Sequence, residues 1–340
     1  MNSNEVLFPM YFTKWFLAFV AEVTEGEPFG GPDGLRIGDA RLPIVSKADG
    51  DLGIVINSLP WYGSLGGINS ETPIVASDRI ELLQQVESKV FQESATFMAL
   101  NVVPTEMPYI DSYRSILRPG IEVRRRTQVT ELPNSLKGDA QTQLLNLLHP
   151  KTRNAIRKGL FQEFDIRVSY AEDLKVVNDL YLLHAENMAV MGSPPKPLSH
   201  FISLKQHAPE GALRIIAAYC EGEMIAALLT VTVGSTLEYL TPVIDQRFRS
   251  TQILSALIWF EMLDAIKRNV RWWNWGGTGW TQDSLYRFKS RFGGVPIEYL
   301  TLVNYSESGL KRLNQLGNFV PRSLEYFYVF PFENLQRSGC

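Results

Sequence analysis

The chain has 340 residues, 45% hydrophobic and 11% aromatic, which excludes a disordered protein and predicts two domains or one large one. Thirty-three basic and 36 acidic residues give a net charge of -3, so the overall charge does not favour nucleic-acid binding and no DNA partner is expected. Two cysteines and four histidines do not provide a disulfide framework or a Cys/His zinc site, and the early apolar stretch 10–21 is too short to span a bilayer. We therefore expect a cytoplasmic protein without a bound metal or a transmembrane segment.

The first half of the chain predicts a hairpin, a glycine-rich loop, a helix and a strand, in that order. The hairpin covers residues 42–57, because two apolar stretches flank an Asp-Gly turn. The loop is Leu59–Gly67, whose glycines allow the backbone to approach either another strand or a ligand. Apolar residues recur at helical spacing from Asp78 to Val90, and residues 96–103 have the composition of a strand.

The second half predicts the same kind of alternation between helices and strands. A polar stretch after Arg124–Arg126 marks the domain boundary, which divides the chain into residues 1–125 and 126–340. The predicted helices are 141–148, 150–161, one that begins after Asp173, and 251–267; the predicted strands are 164–169, 214–220, 224–233, 236–241 and 271–275. The predicted fold class is therefore α/β, with a mixed twisted sheet flanked by helices in each domain.

Several motifs that would identify an enzyme class are absent from the sequence. It has no phosphate-binding Gly-x-x-x-x-Gly-Lys-Ser/Thr loop, no dinucleotide-binding Gly-x-Gly-x-x-Gly, no His-Glu-x-x-His and no Gly-x-Ser-x-Gly. Nucleotide hydrolysis, hydride transfer, zinc proteolysis and serine esterase chemistry are correspondingly disfavoured.

One possible anion site lies between the strand that ends near Val243 and the helix 251–267. Unpaired amides at the start of that helix could face an anion such as the pyrophosphate of coenzyme A. The side chains that would contribute are those of Arg247, Arg249, Ser250 and Thr251. The alternative interpretation is an ordinary capped helix with surface arginines.

The region from Trp272 to Gly294 carries a more specific pattern. It contains a Gly-ended strand with three tryptophans, the pair Phe288-Lys289 and a Phe-Gly-Gly turn. This arrangement resembles the carboxy-terminal half of the FemAB-like branch of the GNAT acyltransferase superfamily. Arg153–Gly159 resembles the basic helix of that family, and Leu59–Gly67 resembles the glycine loop of its amino-terminal half.

The resemblance implies two tandem GNAT-like domains and an N-acyltransferase. FemAB-like proteins transfer an acyl group to an amine, and their donors are aminoacyl-tRNA or, elsewhere in the superfamily, acyl-CoA. No tightly bound cofactor is expected, because the donor is a co-substrate. Enzymes that use acyl-CoA usually carry glycines in an Arg/Gln-x-x-Gly-x-Gly/Ala pattern at the helix start, whereas Arg247, Ser250 and Gln252 occupy the nearest register here.

The resemblance also implies roles for particular residues. Lys289 is expected to stabilise the oxyanion or to hold an acceptor phosphate, since its aromatic neighbours can position its stem. Tyr286 is a possible proton donor to the leaving group, and Asp283 and Glu186 are possible general bases. The residues expected to bind substrate are Tyr62, Gly66, Gly67, Arg153, Arg157, Trp275 and Phe288.

The sequence thus predicts acyl transfer from acyl-CoA to an amine of a sugar or cell-envelope precursor, such as a lipid-linked glycan. Two alternatives remain open: an aminoacyl-tRNA-dependent transferase of the peptidoglycan-bridge type, and a non-catalytic GNAT-like module that binds a glycan or a partner. Peripheral contact with the inner membrane is compatible with each of them.

Overall fold

A computed structural model of the chain describes residues 8–59, 65–92, 95–134, 139–316, 324 and 326–331. They form two compact units. Unit 1 contains the described residues up to Arg126 and from Glu298 onwards, and unit 2 contains those from Thr127 to Ile297.

The elements that begin in unit 1 include both helices and strands. Its helices are α1 (Lys14–Val23), α2 (Ala76–Gln92) and α3 (Ile110–Leu117), and short 3-10 turns cover Pro9–Phe12 and Met107–Tyr109. Its strands are β1 (Glu27–Pro28), β2 (Leu35–Ile37), β3 (Ala40–Leu42), β4 (Val45–Asp49), β5 (Gly53–Asn57), β6 (Phe97–Val102) and the first part of β7 (Ile121–Glu131).

The elements that begin in unit 2 include most of the helices. These are α4 (Ala140–Leu147), α5 (Pro150–Leu160), α6 (Leu174–Val190), α7 (Leu198–His207), α8 (Ile253–Lys267) and α9 (Asp283–Arg291), with a 3-10 turn over Gln246–Thr251. The strands are β8 (Asp165–Ser169), β9 (Leu213–Cys220), β10 (Glu223–Val233), β11 (Thr236–Ile244) and β12 (Trp272–Gly277). The chain then returns to unit 1 through β13 (Val295–Tyr305) and α10 (Glu307–Leu316).

In unit 1 the strand order is β1-β4-β5-β6-β13, in which β5 and β6 are parallel and the other pairs are antiparallel. The predicted hairpin is confirmed as β4 and β5, which pair antiparallel across the Asp-Gly turn. Leu82, Leu83 and Val86 of α2 pack against Met98 and Leu100 of β6, as the helical spacing of the sequence requires.

In unit 2 the order is β7-β12-β11-β10-β9-β8, where β7 contributes residues from Thr127 onwards. The strands β11 and β12 are parallel, and the other pairs are antiparallel. The core of this unit joins α8 to the inner strands through residues such as Ile258, Met262, Tyr239 and Trp273. The mixed α/β sheet flanked by helices, predicted for both halves of the chain, is confirmed.

The division of the chain differs from the predicted domains at one end. The first segment of unit 1 ends at Arg126, one residue beyond the predicted boundary, but the described residues from Glu298 onwards also belong to unit 1 and not to a domain 126–340. The reason is strand pairing: β13 runs antiparallel to β6, with Leu300 opposite Val102 and Tyr305 opposite Phe97. Within the described ranges, no helix is long and apolar enough to cross a membrane.

Candidate functional site

The parallel strands β11 and β12 separate part of the way along their length. Their register pairs are Thr236↔Trp272, Leu237↔Trp273 and Glu238↔Asn274. Beyond Glu238 and Asn274, the described residues of the two strands have no further register partners on each other, although β11 continues to Ile244 and β12 to Gly277. We call this region the β11–β12 opening. Strands that part in this way leave main-chain donors and acceptors between them, where an extended ligand can bind.

A buried polar cluster lies at the point where the strands part. Glu238 Oε2 accepts a hydrogen bond of 2.6 Å from Asn274 Nδ2. Asn274 Oδ1 in turn accepts from Thr127 Oγ1 and from the backbone N–H of Gly276, both at 3.0 Å. The side chains of Glu238, Asn274 and Thr127 are almost fully buried. Because a buried carboxylate is costly without hydrogen bonds, this cluster fixes an acid at a defined position in the sheet.

Sequence reasoning did not identify Glu238 or Asn274 as site residues. A signal was present: Glu238 is the one acidic residue in the apolar strand 236–244, and Asn274 stands between Trp273 and Trp275. A polar residue in the middle of a buried strand requires a partner, and here the partners come from two other strands.

Lys289 lies on α9, and its ammonium holds the end of β12. Its Nζ donates to the carbonyl oxygens of Gly276 at 3.1 Å and Gly277 at 2.9 Å, and to Thr278 Oγ1 at 2.8 Å. The residue is only 3% exposed, and burial lowers the pKa of its ammonium to about 8. A lysine ammonium has three N–H donors, so all three are engaged with this loop. The structure therefore places Lys289 where it fixes the backbone after the tryptophan-rich strand.

These contacts also orient two peptide groups. The described peptide bonds are trans, and in a trans peptide the C=O and the following N–H point in opposite directions. Since the carbonyls of Gly276 and Gly277 face Lys289, the N–H groups of Gly277 and Thr278 point away from the ammonium. Lys289 thereby sets the direction of two main-chain donors at the end of β12.

The other predicted residues near α9 have different environments. Asp283 is exposed at the first position of the helix, and Tyr286 is half-buried, with its carbonyl accepting from Gln128 Nε2 at 3.3 Å. Trp275 is buried and donates from Nε1 to Thr130 Oγ1 at 2.9 Å, and the ring of Phe288 packs edge-on against it with centroids 6.3 Å apart. Trp275 and Phe288 therefore belong to the aromatic core that supports Lys289.

A second buried cluster contacts β11 from the loop between α6 and α7. Lys196 Nζ donates to Thr241 Oγ1 at 3.1 Å, and the backbone N–H of Lys196 donates to His184 Nε2 at 3.0 Å. Burial lowers the pKa of Lys196 to about 8, and burial together with the charge of Lys196 lowers the pKa of both His184 and His200 to about 4. Both imidazoles are thus neutral at pH 7. In the described part of the chain, no group of three or more His, Cys, Asp or Glu side chains could hold a metal.

The predicted anion site at the start of the long helix has a more closed geometry than expected. Residues Gln246–Thr251 form a 3-10 turn, and α8 begins only at Ile253. The guanidinium of Arg247 is bound by Asp245, with Nη2 to Oδ2 at 2.6 Å, and Arg249 Nη1 donates to Gln246 Oε1 at 3.2 Å. Glu186 of α6 lies near enough to Arg247 to contribute to the raised pKa of that arginine.

Thr251 pairs with the first amide of the helix that follows, whose N-cap residue is Gln252. Thr251 Oγ1 accepts from the N–H of Ile253 at 3.3 Å and donates to the carbonyl of Phe248 at 2.6 Å, while Ser250 is exposed. Gln252 has a φ of 65°, in the left-handed region that glycine adopts most easily. The amide of Ile253 is therefore paired with a side chain of the turn, as in the capped-helix interpretation, and the anion site stays a prediction.

The basic helix α5 packs beside this same turn. Gly159 lies so close to α8 that a Cβ atom there would be 2.7 Å from the carbonyl oxygen of Gln252. Arg153 is half-buried and donates to the carbonyl of Leu145 at 3.2 Å, whereas Arg157 is exposed and donates to Asn154 Oδ1 at 3.2 Å. The structure thus brings together the basic helix and the turn 246–251, which are about 90 residues apart in the sequence.

The residues predicted in the glycine loop belong to unit 1. Tyr62 lies outside the described residues. Gly66 and Gly67 are buried, and a Cβ atom on either would lie 2.5 Å from a backbone oxygen, that of Ser58 or Asn101 respectively. Of the two interpretations of these glycines, the structure supports close packing against neighbouring backbone.

Residues 150–290 match the model described as an acetyltransferase (GNAT) domain. This segment includes α5, the β11–β12 opening and Lys289. No curated protein matches the chain.

Several solved structures share the fold at low sequence identity. FemX is 14% identical with a TM-score of 0.66, and the alignment covers 88% of this chain and 93% of FemX. A conserved protein of unknown function from Bacteroides thetaiotaomicron is 14% identical with a TM-score of 0.58, covering 89% and 94% of the two chains. The C-terminal domain of a putative lysylphosphatidylglycerol synthetase from Agrobacterium fabrum is 12% identical with a TM-score of 0.55, covering 88% and 90%. The fold expected from the resemblance to FemAB-like GNAT proteins is confirmed.

Proposed function

We propose that the chain transfers an acyl or aminoacyl group from an activated ester or thioester to an amine. The match of residues 150–290 to the model described as an acetyltransferase (GNAT) domain supports this proposal. The observation that carries the proposal is the buried Glu238–Asn274 pair where β11 and β12 part. A carboxylate held at the position where two strands part can act as the general base for an amine that binds between them.

In the proposed reaction, the nitrogen of the acceptor amine forms a bond to the carbonyl carbon of the donor. Glu238 takes the proton that the nitrogen loses, and the bond from the carbonyl carbon to the donor oxygen or sulfur breaks. The leaving group departs as an alcohol or thiol after it gains a proton, a role for which Tyr286 stays a prediction. Asn274 holds the Glu238 carboxylate in place during this transfer.

The oxyanion that forms during attack requires hydrogen-bond donors. We assign this function to the N–H groups of Gly277 and Thr278, which the contacts of Lys289 turn away from its ammonium. Lys289 then acts as a positioning residue for these donors. The alternative is that Lys289 stabilises the oxyanion directly. Its ammonium would then have to give up one of its three hydrogen-bond acceptors and donate to the oxyanion instead.

Between the two donor classes, the turn 246–251 favours an aminoacyl ester over acyl-CoA. Arg247 is engaged with Asp245 and Thr251 with Ile253, so these groups must be displaced before a pyrophosphate can bind them. Asn187 of α6 also occupies the end of β11, where it bonds the N–H of Ile244 at 3.0 Å and its C=O at 2.7 Å. Acyl-CoA remains the second candidate donor, because Arg249 and Ser250 are exposed beside α8.

For the acceptor, we propose an amine of a sugar or cell-envelope precursor, including lipid-linked glycans. The resemblance of residues 153–159 and 272–294 to FemAB-like proteins supports this class.

The test is an assay with separate donors. The purified chain is incubated with acetyl-CoA or with charged tRNA over a panel of amines, and the release of free thiol or of deacylated tRNA is followed. We expect amine-dependent release from charged tRNA, and loss of that release in Glu238→Gln.

The possible outcomes separate the candidate functions. Amine-dependent thiol release, lost in Glu238→Gln, would show that acyl-CoA is the donor and would contradict our preference. Tight binding of an envelope glycan without turnover of either donor would identify a binding module and refute the enzyme.

A further inference from the structure

The ends of α5 and α6 expose large apolar side chains on the surface of unit 2. Phe161 is 85% exposed and Leu160 is 44% exposed at the end of α5. Val190 and Met191 are each 64% exposed at the end of α6. Exposing several large apolar side chains together is unfavourable in water, so such a surface indicates an interaction site.

Both helix ends adjoin the turn 246–251 at the end of β11. Gly159 packs against Gln252, and the rings of Phe164 and Phe248 meet with centroids 5.8 Å apart, which places the end of α5 beside the turn. Asn187 bonds Ile244, which places the end of α6 beside the turn as well. We call this surface the apolar-basic rim: Leu160, Phe161, Val190 and Met191 with the turn 246–251 and the exposed cations of α5.

The charge of the rim is positive. Six basic residues and no acidic residue stand on α5 and the turn, and four acidic residues adjoin them. The basic residues are Lys151, Arg153, Arg157, Lys158, Arg247 and Arg249, and the acidic residues are Glu163, Asp165, Glu186 and Asp245. Asp245 is engaged with Arg247, so Lys151, Arg157, Lys158 and Arg249 supply most of the exposed positive charge. This local excess contrasts with the net charge of -3 of the whole chain.

We propose that the apolar-basic rim docks the protein on an anionic phospholipid bilayer. The cations are complementary to phosphate head groups, and the apolar side chains can enter the boundary between head groups and acyl chains. RNA is the other polyanion that the cations could bind, but it offers no partner for Val190, Met191 and Leu160, whereas a bilayer does. The combination of aliphatic side chains with cations therefore favours the membrane.

Docking through this rim would set the end of the β11–β12 opening at the bilayer surface, because Ile244 and the turn 246–251 lie at that end. Substrates carried by lipids would then reach the opening without leaving the membrane. The docking itself does not depend on the proposed transferase activity, and vesicle binding is measured without any donor or acceptor.

The test is sedimentation of the full chain with vesicles of phosphatidylcholine alone or with about 30 mol% phosphatidylglycerol, at low and high salt. We expect binding to the anionic vesicles that weakens as salt increases. Phe161→Ser should weaken binding at least about tenfold, as expected for losing one buried aromatic side chain. Arg157→Gln and Lys158→Gln should each weaken it about fivefold at low salt.

Leu174→Ser is the matched control. Leu174 is also exposed, but it begins α6, sixteen residues from Val190 and so about 24 Å away along the helix. It should leave vesicle binding unchanged, and the melting temperature of each variant shows whether folding is intact. The proposal is overturned if Leu174→Ser weakens binding as much as Phe161→Ser, or if the wild-type chain does not prefer anionic vesicles. It is also overturned if the chain binds uncharged tRNA but not vesicles, with Arg157→Gln reducing and Phe161→Ser preserving that binding.

Discussion

Two polar regions of unit 2 differ in how their charged groups are used. At the point where β11 and β12 part, Glu238 is buried and held by Asn274, whose carbonyl is fixed by Thr127. In the turn 246–251, Arg247 and Arg249 lie in solvent and bond to residues two or three positions away. The hydrogen bonds of the first cluster connect three strands, whereas those of the second connect residues within one short segment.

This difference in burial indicates which of the two regions can contribute more to catalysis. Hydrogen bonds and charges act more strongly in the low dielectric of a protein interior than in water. An exposed ion pair such as Arg247–Asp245 contributes little free energy and is screened by salt. We therefore expect substitutions at the buried cluster to have large effects on the reaction and substitutions in the turn to have small ones.

The largest effect is expected for Glu238→Gln. The glutamine can still accept the hydrogen bond from Asn274 Nδ2, so the fold should change little, but it cannot take a proton from the acceptor amine. Loss of a general base typically lowers the rate by about 10²–10⁴-fold. Single-turnover rates with charged donor and excess amine would measure the loss.

Glu261→Gln provides the matched control, because Glu261 is also a fully buried glutamate of unit 2. It is bound by Arg214 at 3.1 Å and Arg268 at 2.7 Å, and both arginines also contact Asp264, so the substitution removes one charge from a buried ion-pair network. Because Asp264 remains, we expect a loss of unfolding free energy below the roughly 3–5 kcal/mol of a fully broken buried ion pair. Equal rate losses in the two variants, with equal losses of stability, would show that Glu238 is structural.

More of the fold of this chain than of its candidate site could be predicted from the sequence. Apolar periodicity and turn residues predicted the hairpin 42–57 and most strands of unit 2, because these features are set by nearby residues. The return of β13 to unit 1 could not be predicted in this way, since it depends on pairing between Leu300 and Val102, about 200 residues apart.

The same distinction holds for the site. Lys289 was found through its aromatic neighbours and its family resemblance, and its burial agrees with a held position, although its catalytic role stays a prediction. The Glu238–Asn274 pair was missed because its residues meet only when β7, β11 and β12 assemble. For the turn 246–251 the sequence left two interpretations open, an anion site and a capped helix with surface arginines, because sequence pattern alone does not give the geometry of a side chain such as Thr251.

The next largest effect is expected for Lys289→Met, which keeps the apolar stem and removes the ammonium. The carbonyls of Gly276 and Gly277 would lose their donor, and we expect a loss of about 1–3 kcal/mol of unfolding free energy together with a rate reduced more than about tenfold. Denaturant unfolding and turnover rates measure the two effects on the same samples.

The two losses distinguish the possible roles of Lys289. A lower rate with unchanged stability would indicate direct contact with the oxyanion and contradict the positioning role. Arg291→Gln, an exposed substitution on the same helix, should change neither quantity.

A moderate effect on stability is expected from pH. Burial, with the charge of Lys196, lowers the pKa of His184 and His200 to about 4 from the ordinary 6.5. Between these values the unfolded chain binds more protons than the folded one. The contribution of the two neutral imidazoles to the unfolding free energy should therefore be fully present above pH 6.5, and the unfolding free energy should fall as pH decreases towards 4.

The slope contributed by each histidine can reach about 1.4 kcal/mol per pH unit. Urea unfolding across this pH range, compared between the wild-type chain and the double variant His184→Gln/His200→Gln, isolates their contribution. A slope that is the same in both proteins would show that these imidazoles do not titrate with folding.

The smallest effect is expected for Arg247→Gln. The guanidinium is largely exposed and already bound by Asp245, and solvent screens such pairs, so it should contribute little to binding of a donor. We expect the KM for the donor to change less than about threefold. A rise of tenfold or more with acetyl-CoA, and none with charged tRNA, would show that Asp245 releases the arginine to a pyrophosphate. The turn would then be a donor site that opens on binding, and the contrast between the buried cluster and the exposed turn would no longer hold.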